Sequence, residues 1–296
     1  MYGVHTMKAK MVIVLIFVAS LPLLSQSITH EGLAMQSKIL PDKVKFCVYL
    51  PPDYENSSRR YPVVYLLHGY SDKEWAWVQF GEVQMSADQG IEAGEIPPMI
   101  IVMPDGKVTF YVNDYSGVDR WEDMFIKEFI PFIDANYRTR TEKEFRGISG
   151  LSMGGYGSLM FSMRYPDVFV ACAAFSAAVW EDEELIGSGD SLQYDGFFST
   201  IFGPLVNGDL PVFFRDHHPL DLAKNRPVEE LKKVRYYIDC GDDDFLINGN
   251  MALHKVMKQR QIPHEFRVRD GNHSWPYWRS GITEGLKFIG ASFHRS

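Results

Sequence analysis

The sequence contains few cysteines and no cluster of basic residues, and both shortages exclude classes of protein. Among 296 residues there are 3 cysteines, Cys47, Cys172 and Cys240, at irregular spacing. An odd number without regular spacing predicts no disulfide framework, and each cysteine lies in an apolar, strand-like run, so we expect buried free thiols. The net charge is −8 and the lysines and arginines are scattered, which argues against a nucleic-acid-binding surface.

The apolar run at the N-terminus is too short for a comfortable membrane span. It extends over 14 residues from Met11 to Leu24, follows Lys8 and Lys10, and precedes small residues around Ser27. This pattern is typical of a secretory signal peptide. We predict a signal peptide over residues 1–27, cleavage near Ser27, and a secreted or periplasmic protein without a stable membrane anchor. An uncleaved anchor is the alternative.

Strand-like and helix-like patterns alternate through the remaining chain, residues 28–296, and no internal repeat interrupts them. The alternation predicts one α/β domain with a mainly parallel central sheet and helices on both faces. The uninterrupted apolar run from Tyr61 to His68 is typical of a strand buried on both faces, and residues 28–42 look like a polar leader. Predicted strands cover residues 44–50, 61–68, 99–103, 145–149, 168–179, 234–240 and 264–269, and predicted helices cover residues 85–93, 121–137, 155–165, 250–261 and 277–293.

Residues 181–228 do not fit this alternation. They are loop-rich and carry many aromatic side chains, which predicts a small cap or an ordered insertion. The alternative is that these aromatic residues only pack a satellite core. The aromatic residues in question are Tyr194, Phe197, Phe198, Phe202, Phe213 and Phe214.

A Gly-Leu-Ser-Met-Gly segment, Gly150 to Gly154, lies between a predicted strand and a predicted helix. A strand, a sharp turn and a helix around this pattern are the context of a nucleophile elbow, with Ser152 as the nucleophile. The alternative is a glycine-rich turn with a buried serine. The Met153 N–H, at the start of the helix, and the Tyr70 N–H, on the loop after an earlier strand, would supply the two donors of an oxyanion hole.

The partners that a serine nucleophile needs follow two later strands. His273 lies in one strand-end loop and would act as the base, and three consecutive aspartates, Asp242, Asp243 and Asp244, lie in the other. The chain order serine, acid, histidine is that of α/β-hydrolases. We favour Asp244 as the acid because Phe245 and Leu246 would bury its side, but its two neighbours stay open as alternatives.

No metal or cofactor is predicted. The aspartate run lacks the ligand spacing of a calcium loop, and no second ligand cluster accompanies His217 and His218, for which a capping or surface role is expected. Trp121 and Trp275 are candidates for binding an aromatic acyl group or a sugar face.

Several motifs together resemble a known esterase family. The residues are Tyr49 to Tyr54, Leu66 to Gly69, Met103 to Gly106, Gly150 to Gly155, Cys240 to Asp244, and Gly271 to Trp275. They look like the family of feruloyl esterases, esterase D (S-formylglutathione hydrolase) and antigen-85-type mycolyltransferases, over about Val44 to Phe293. The resemblance implies an α/β-hydrolase fold and places the Ser–His–Asp roles on Ser152, His273 and Asp244.

Among these relatives, the chain is most similar to secreted feruloyl and acetyl xylan esterases. The resemblance therefore implies a serine carboxylesterase whose substrate is a feruloylated or acetylated oligosaccharide. Acetyl xylan esterase and sugar acyltransferase are alternatives that share the same residues. A non-catalytic glycan-binding protein on a hydrolase scaffold is the alternative from another class. The sequence does not indicate an oligomeric state.

Overall fold

Eight strands form one sheet in this structure, a computed structural model that describes residues 1–3, 26–186, 194 and 196–293. The strands in chain order are β1 (Ile28–Gln36), β2 (Lys43–Leu50), β3 (Val63–Leu67), β4 (Ile100–Pro104), β5 (Arg146–Leu151), β6 (Ala171–Phe175), β7 (Arg235–Gly241) and β8 (His264–Arg269). Their order in the sheet is β1-β2-β4-β3-β5-β6-β7-β8. The pairs β1–β2 and β2–β4 are antiparallel, and the other neighbours are parallel. The predicted α/β fold with a mainly parallel sheet is confirmed.

Helices cover both faces of this sheet. They are α1 (Ala76–Gln79), α2 (Val83–Glu92), α3 (Trp121–Met124), α4 (Ile130–Asn136), α5 (Met153–Arg164), α6 (Asp182–Ile186), α7 (Phe197–Phe202), α8 (Val212–Arg215), α9 (Pro219–Asn225), α10 (Val228–Leu231), α11 (Ile247–Gln259) and α12 (Trp275–Gly290). A π-helical turn, Phe125–Phe129, joins α3 to α4. Side chains of α2 and α12 belong to one buried cluster, and side chains of α5, α9 and α11 belong to the other.

Strand β3 shows how the sheet divides these two clusters. Val63, Tyr65 and Leu67 point into the cluster that contains α5. Val64 and Leu66 point into the cluster that contains α12. All five side chains are fully buried, because successive residues of a strand face opposite sides of a sheet that is covered on both. The burial predicted for this apolar run is confirmed.

The three cysteines lie in β2, β6 and β7, where Cys47, Cys172 and Cys240 are buried and free. Burial raises the pKa of all three thiols, to about 12 for Cys47 and Cys172. The thiolate, which is the reactive form, is therefore disfavoured at each position. The prediction of buried free thiols is confirmed.

The prediction of a polar leader over residues 28–42 was wrong for its first part, because Ile28–Gln36 forms β1. This edge strand pairs with β2, with a register irregularity between His30 and Leu33, where Gly32 has φ 71°. Most of its side chains are exposed or half-buried. An edge strand with few buried residues lacks the alternating apolar pattern that identifies a strand in sequence.

The insertion predicted over residues 181–228 is helical in its described part, where α6 to α10 lie. Residues 187–193 and 195 are outside the described residues. Helix α9 packs against α5 and α11. The buried rings of Phe198, Phe202 and Phe214 belong to the same cluster as the main core, so they do not form a separate satellite core.

A buried polar contact also attaches the insertion to the body of the fold. His217 Nε2 lies 3.3 Å from Glu122 Oε2, and Glu122 Oε1 accepts hydrogen bonds from Arg164 Nε at 2.9 Å and Tyr165 Oη at 2.7 Å. His218 precedes α9, and its Nδ1 lies 3.0 Å from an Asp221 oxygen. Of the expected capping or surface role for this pair, the surface alternative was wrong, since both side chains are buried. His218 is the N-cap residue of α9, although its side chain forms no capping hydrogen bond.

The N-terminal apolar run that predicts a signal peptide lies outside the described residues. The described chain resumes at Gln26, and the Ser27 hydroxyl donates a hydrogen bond of 2.6 Å to Asp88 Oδ2 on α2. None of the helices in the described part of the chain has the length and apolar character needed to cross a membrane.

We predict that Glu122→Gln destabilises the fold by roughly 3 kcal/mol at pH 7, since it removes one partner of a buried ionic network. Burial alone would raise the pKa of Glu122, but His217, Arg164 and Tyr165 outweigh it and lower this pKa to about 2. A lowered carboxyl pKa stabilises the fold above the ordinary value of 4.5, and this contribution is lost as the pH falls towards 2. The difference in unfolding free energy between wild type and variant should therefore shrink below pH 4.5.

Urea unfolding of the two proteins across this pH range measures the difference. Asp167→Asn is the matched control, because Asp167 forms an ion pair with Lys233 at the surface. Its effect should stay below about 1 kcal/mol. Equal effects of the two substitutions at pH 7 would contradict the prediction.

Candidate active site

Ser152 lies between the end of β5 and the start of α5, and its backbone is strained. Its φ of 54° and ψ of −117° are unusual for a residue with a side chain. The Ser152 N–H donates to the Phe175 carbonyl oxygen at 2.9 Å, and the Ser152 carbonyl oxygen accepts from the Ala178 N–H at 3.0 Å. These bonds to the end of β6 hold the sharp turn, which lifts the hydroxyl clear of the sheet.

The two glycines of the motif permit a close approach of backbone around this turn. A Cβ on Gly154 would lie 2.4 Å from the Leu67 carbonyl oxygen of β3. A Cβ on Gly150 would lie 2.5 Å from the Gly154 carbonyl oxygen. Both positions therefore exclude any larger residue unless backbone moves.

The structure brings Ser152, His273 and Asp244 together into one hydrogen-bonded chain. His273 Nε2 lies 3.0 Å from Ser152 Oγ, and His273 Nδ1 lies 2.9 and 3.0 Å from the two Asp244 oxygens. An ionised carboxylate only accepts, so Nδ1 carries the proton and Nε2 accepts from the serine hydroxyl. The serine is thus in contact with a base whose ring is held by a carboxylate.

Asp244 is 2% exposed and well supplied with donors. Burial raises its pKa, but hydrogen bonds from His273, Ser176 and the Leu246 N–H have the larger combined effect and lower the pKa below its ordinary value. The Leu246 N–H donates to Asp244 Oδ1 at 2.9 Å. The carboxylate therefore stays ionised beside the histidine.

Ser176 and Trp278 support this carboxylate, and the sequence analysis did not find them. The Trp278 indole N–H donates to Ser176 Oγ at 2.9 Å. Because the indole only donates, the serine proton is free to reach Asp244, with which Ser176 forms a hydrogen bond. The Trp278 ring also packs edge-on against His273, with centroids 4.8 Å apart. The strand predicted over residues 168–179 placed Ser176 inside the strand, whereas β6 ends at Phe175 and Ser176 follows it directly.

The neighbouring aspartates face solvent instead. Asp242 Oδ1 accepts the Gly271 N–H at 3.0 Å, and neither Asp242 nor Asp243 contacts His273. Together with Asp270 they offer three exposed carboxylates whose oxygens lie within 4.8 Å of one another. They are the group in the described residues that could hold a cation, but exposed acidic clusters are common without one, so we assign no metal there.

The two residues predicted to supply the oxyanion hole lie at the cavity beside Ser152. The Met153 N–H begins α5, and the Tyr70 N–H lies on the loop after β3; both residues line the cavity. Within the described part of the chain, neither N–H donates to a protein acceptor. Donors of an oxyanion hole stay unpaired until a substrate oxygen arrives, so both groups are free for this role, which stays a prediction.

His68 orients one of these donors, which is a second contribution missed in the sequence. Its Nδ1 lies 2.7 Å from the Gly69 carbonyl oxygen, and its Nε2 accepts the Gly106 N–H at 2.8 Å. These partners place the ring proton on Nδ1. The Gly69 carbonyl and the Tyr70 N–H belong to one planar trans peptide and point in opposite directions. Holding the carbonyl therefore aims the Tyr70 N–H.

The hydroxyl of Ser152 and the ring of His273 line a cavity of about 750 Å³. Its walls are mainly aromatic and apolar, and they come from the insertion and from the loops at the strand ends. Tyr70 meets Phe197 of the insertion edge to face at 5.1 Å, and Phe245 packs on His273 at 4.6 Å. The aromatic wall comprises Tyr70, Phe110, Trp180, Phe197, Phe198, Phe245, Trp275 and Trp278.

The two tryptophans predicted to bind substrate have different positions. Trp275 lines the cavity and is half-buried against Trp77, at 5.2 Å. Trp121 is 1% exposed and does not line it. Its indole N–H donates to the Asp105 carbonyl oxygen, and Tyr111 packs over its ring at 4.7 Å. The prediction for Trp121 was wrong because helix α3 turns this side chain into the core.

Comparison with known proteins identifies the family. The sequence model of the family described as "Putative esterase" matches residues 37–289. The chain belongs to this esterase family. A solved ferulic acid esterase is similar to this family member with a TM-score of 0.76 and 29% identity, over 90% of this chain and 99% of that chain. The resemblance that the motifs indicated is confirmed.

Curated relatives of this esterase-family chain differ in length. Esterase Rv1288 of Mycobacterium tuberculosis is 30% identical over 246 residues, which are 76% of this chain and 51% of that protein. The acetyl esterase of Caldicellulosiruptor saccharolyticus is 24% identical over 261 residues, 86% of this chain and 95% of its own. The chain thus spans about half the length of the first relative.

We predict that Asp244→Asn slows the reaction of Ser152 with a fluorophosphonate probe by on the order of 10³-fold or more. An amide in place of the carboxylate no longer accepts the Nδ1 proton at both oxygens, so the ring loses the tautomer in which Nε2 is a base. The labelling rate of the purified protein measures this effect.

Asp243→Asn serves as the control because it makes the same chemical change at an exposed neighbour that does not contact His273. It should alter the labelling rate less than about 3-fold. If the Asp243 variant reacts slowly and the Asp244 variant reacts at the wild-type rate, Asp243 rather than Asp244 is the acid.

Proposed function

We propose that this protein is a secreted serine carboxylesterase that hydrolyses feruloyl-type esters of plant polysaccharide. The observation that carries the proposal is the hydrogen-bonded chain of Ser152, His273 and Asp244 at an aromatic-walled cavity. A serine in contact with an oriented base is the arrangement needed for acyl transfer. The similarity to a ferulic acid esterase supports the choice of acyl group.

The first half-reaction forms an acyl-enzyme. Ser152 Oγ attacks the ester carbonyl carbon while His273 Nε2 takes the hydroxyl proton, and Asp244 stabilises the resulting imidazolium. The Met153 and Tyr70 N–H groups hold the negative oxygen of the tetrahedral intermediate. The intermediate then expels the alcohol, to which the imidazolium returns the proton.

The second half-reaction releases the acid. A water molecule takes the place of the alcohol, loses a proton to His273 Nε2 and attacks the acyl carbonyl carbon. The same two N–H groups hold the oxyanion, and Ser152 Oγ leaves with the proton that the imidazolium returns. The products are the free carboxylic acid and the original serine.

The cavity suits an aromatic acyl group. Its volume of about 750 Å³ exceeds what an acetyl group fills. Its walls are mainly aromatic, and the Trp180 ring is one of them. Flat apolar walls of this kind match the ring of a feruloyl group.

Acetyl ester hydrolysis is the second candidate. The similarity to an acetyl esterase over 95% of that protein favours it. The same chain of residues would act on either ester, so relative rates on feruloyl and acetyl substrates distinguish the two. Secretion is also part of the proposal and rests on the pattern of residues 1–27.

Ser152→Ala should lower the hydrolysis of methyl ferulate and of 4-nitrophenyl acetate by at least about 10³-fold, because no other group can form the acyl-enzyme. Ser116→Ala, at an exposed serine, is the control and should retain wild-type rates. Undiminished hydrolysis by the Ser152 variant would contradict the proposed function and favour a non-catalytic glycan-binding protein.

A further inference from the structure

One acidic side chain lines the cavity without any basic side chain to oppose it. Asp72 lies on the loop after β3, two residues beyond Tyr70. Among the described residues that line the cavity, there is no lysine or arginine, and His273 is engaged with Asp244. The electrostatic character of the site is therefore negative near this loop.

Asp72 is close to the reacting serine. The point where a Cβ on Gly69 would sit lies 3.3 Å from Asp72 Oδ2 and 3.6 Å from Ser152 Cβ. The carboxylate and the side chain of the nucleophile thus both lie beside Gly69. The Asp72 N–H donates to the Gly69 carbonyl oxygen at 3.2 Å, which fixes the backbone of the residue.

No cation neutralises this carboxylate. In the described part of the chain, Asp72 forms no ion pair. Burial raises the pKa of its carboxyl, and His68 and the Gly69 N–H offset only part of that effect. Asp244, by contrast, has its charge surrounded by donors. At a pH well above the ordinary carboxyl range Asp72 is nevertheless ionised, and its charge then acts on whatever enters the cavity.

We infer that Asp72 makes the active site select substrates by charge, so that it accepts neutral and cationic esters and rejects esters that carry an anion near the reacting carbonyl. The inference deepens the proposed esterase function and rests on it. Two unit charges about 7 Å apart in a partly buried site repel strongly enough to change a rate by on the order of 10-fold. Esters of neutral sugars would be hydrolysed, whereas glutathione thioesters and esters of acidic sugars would be poor substrates.

Three 4-nitrophenyl esters of similar length test the inference at pH 8, where an aspartate is ionised. They are the butyrate, its 4-sulfonate derivative and its 4-trimethylammonium derivative, which remain neutral, anionic and cationic at every pH used. For wild type we expect kcat/KM for the anionic ester to be roughly 10-fold below that for the cationic one. Asp72→Asn should bring this ratio within about 2-fold of unity.

Asp270→Asn is the matched control, because it removes an exposed aspartate charge that does not line the cavity. It should leave the ratio near the wild-type value. Wild type also provides a test that needs no variant: raising the salt from about 0.01 to 0.5 M should shrink the ratio by screening the repulsion.

The inference would be overturned if the ratio of kcat/KM for the anionic ester to that for the cationic ester were the same in Asp72→Asn as in wild type. A wild-type ratio near unity at low salt would also overturn it. Either result would leave the esterase function intact. Failure of wild type to hydrolyse all three esters would instead contradict the proposed function and the inference together. The two failures are therefore distinguishable in one set of measurements.

Discussion

The strained turn at Ser152 is the constraint on which the rest of the site depends. A φ of 54° with a ψ of −117° persists only because the surrounding backbone holds it. The Phe175 carbonyl, at the end of β6, and the Ala178 N–H, three residues further on, form hydrogen bonds to the serine backbone. Gly150 and Gly154 let β3, β5 and α5 approach closely enough for these contacts. The parallel sheet thus presents the hydroxyl at its carboxyl edge, where the loops carrying Asp244 and His273 also end.

Two carboxyl groups near this serine have opposite environments. Asp244 receives hydrogen bonds from His273, Leu246 and Ser176, and Trp278 in turn donates to Ser176. Its charge is stabilised and its pKa is lowered. The carboxyl of Asp72 has no ion-pair partner in the described chain, and burial raises its pKa. These environments suit the two proposed roles, in which Asp244 orients a base and Asp72 sets a local field.

The insertion shapes the cavity because it is attached firmly to the body of the fold. Its aromatic side chains share the main core, and the Glu122 network joins α8 and α9 to α3 and α5. Both attachments are buried, so the rings of Phe197 and Phe198 stand in defined positions opposite Tyr70 and Trp180. An apolar wall held in this way is the basis for proposing a flat aromatic acyl group rather than a small one.

The sequence by itself determined the α/β class, the burial of β3, the glycine-flanked turn and the chain order of serine, acid and histidine, because periodicity and strand-end motifs are local properties. Tertiary structure alone decided which aspartate meets His273, why Trp121 is core while Trp275 lines the cavity, and that residues 28–36 form an edge strand. It also decided the supporting roles of His68 and Ser176. These outcomes depend on which side of a loop or helix faces a partner, such as the Trp278 indole on Ser176, 102 residues away. Local pattern carries no information about such contacts, since only the packed sheet brings their partners within hydrogen-bond reach.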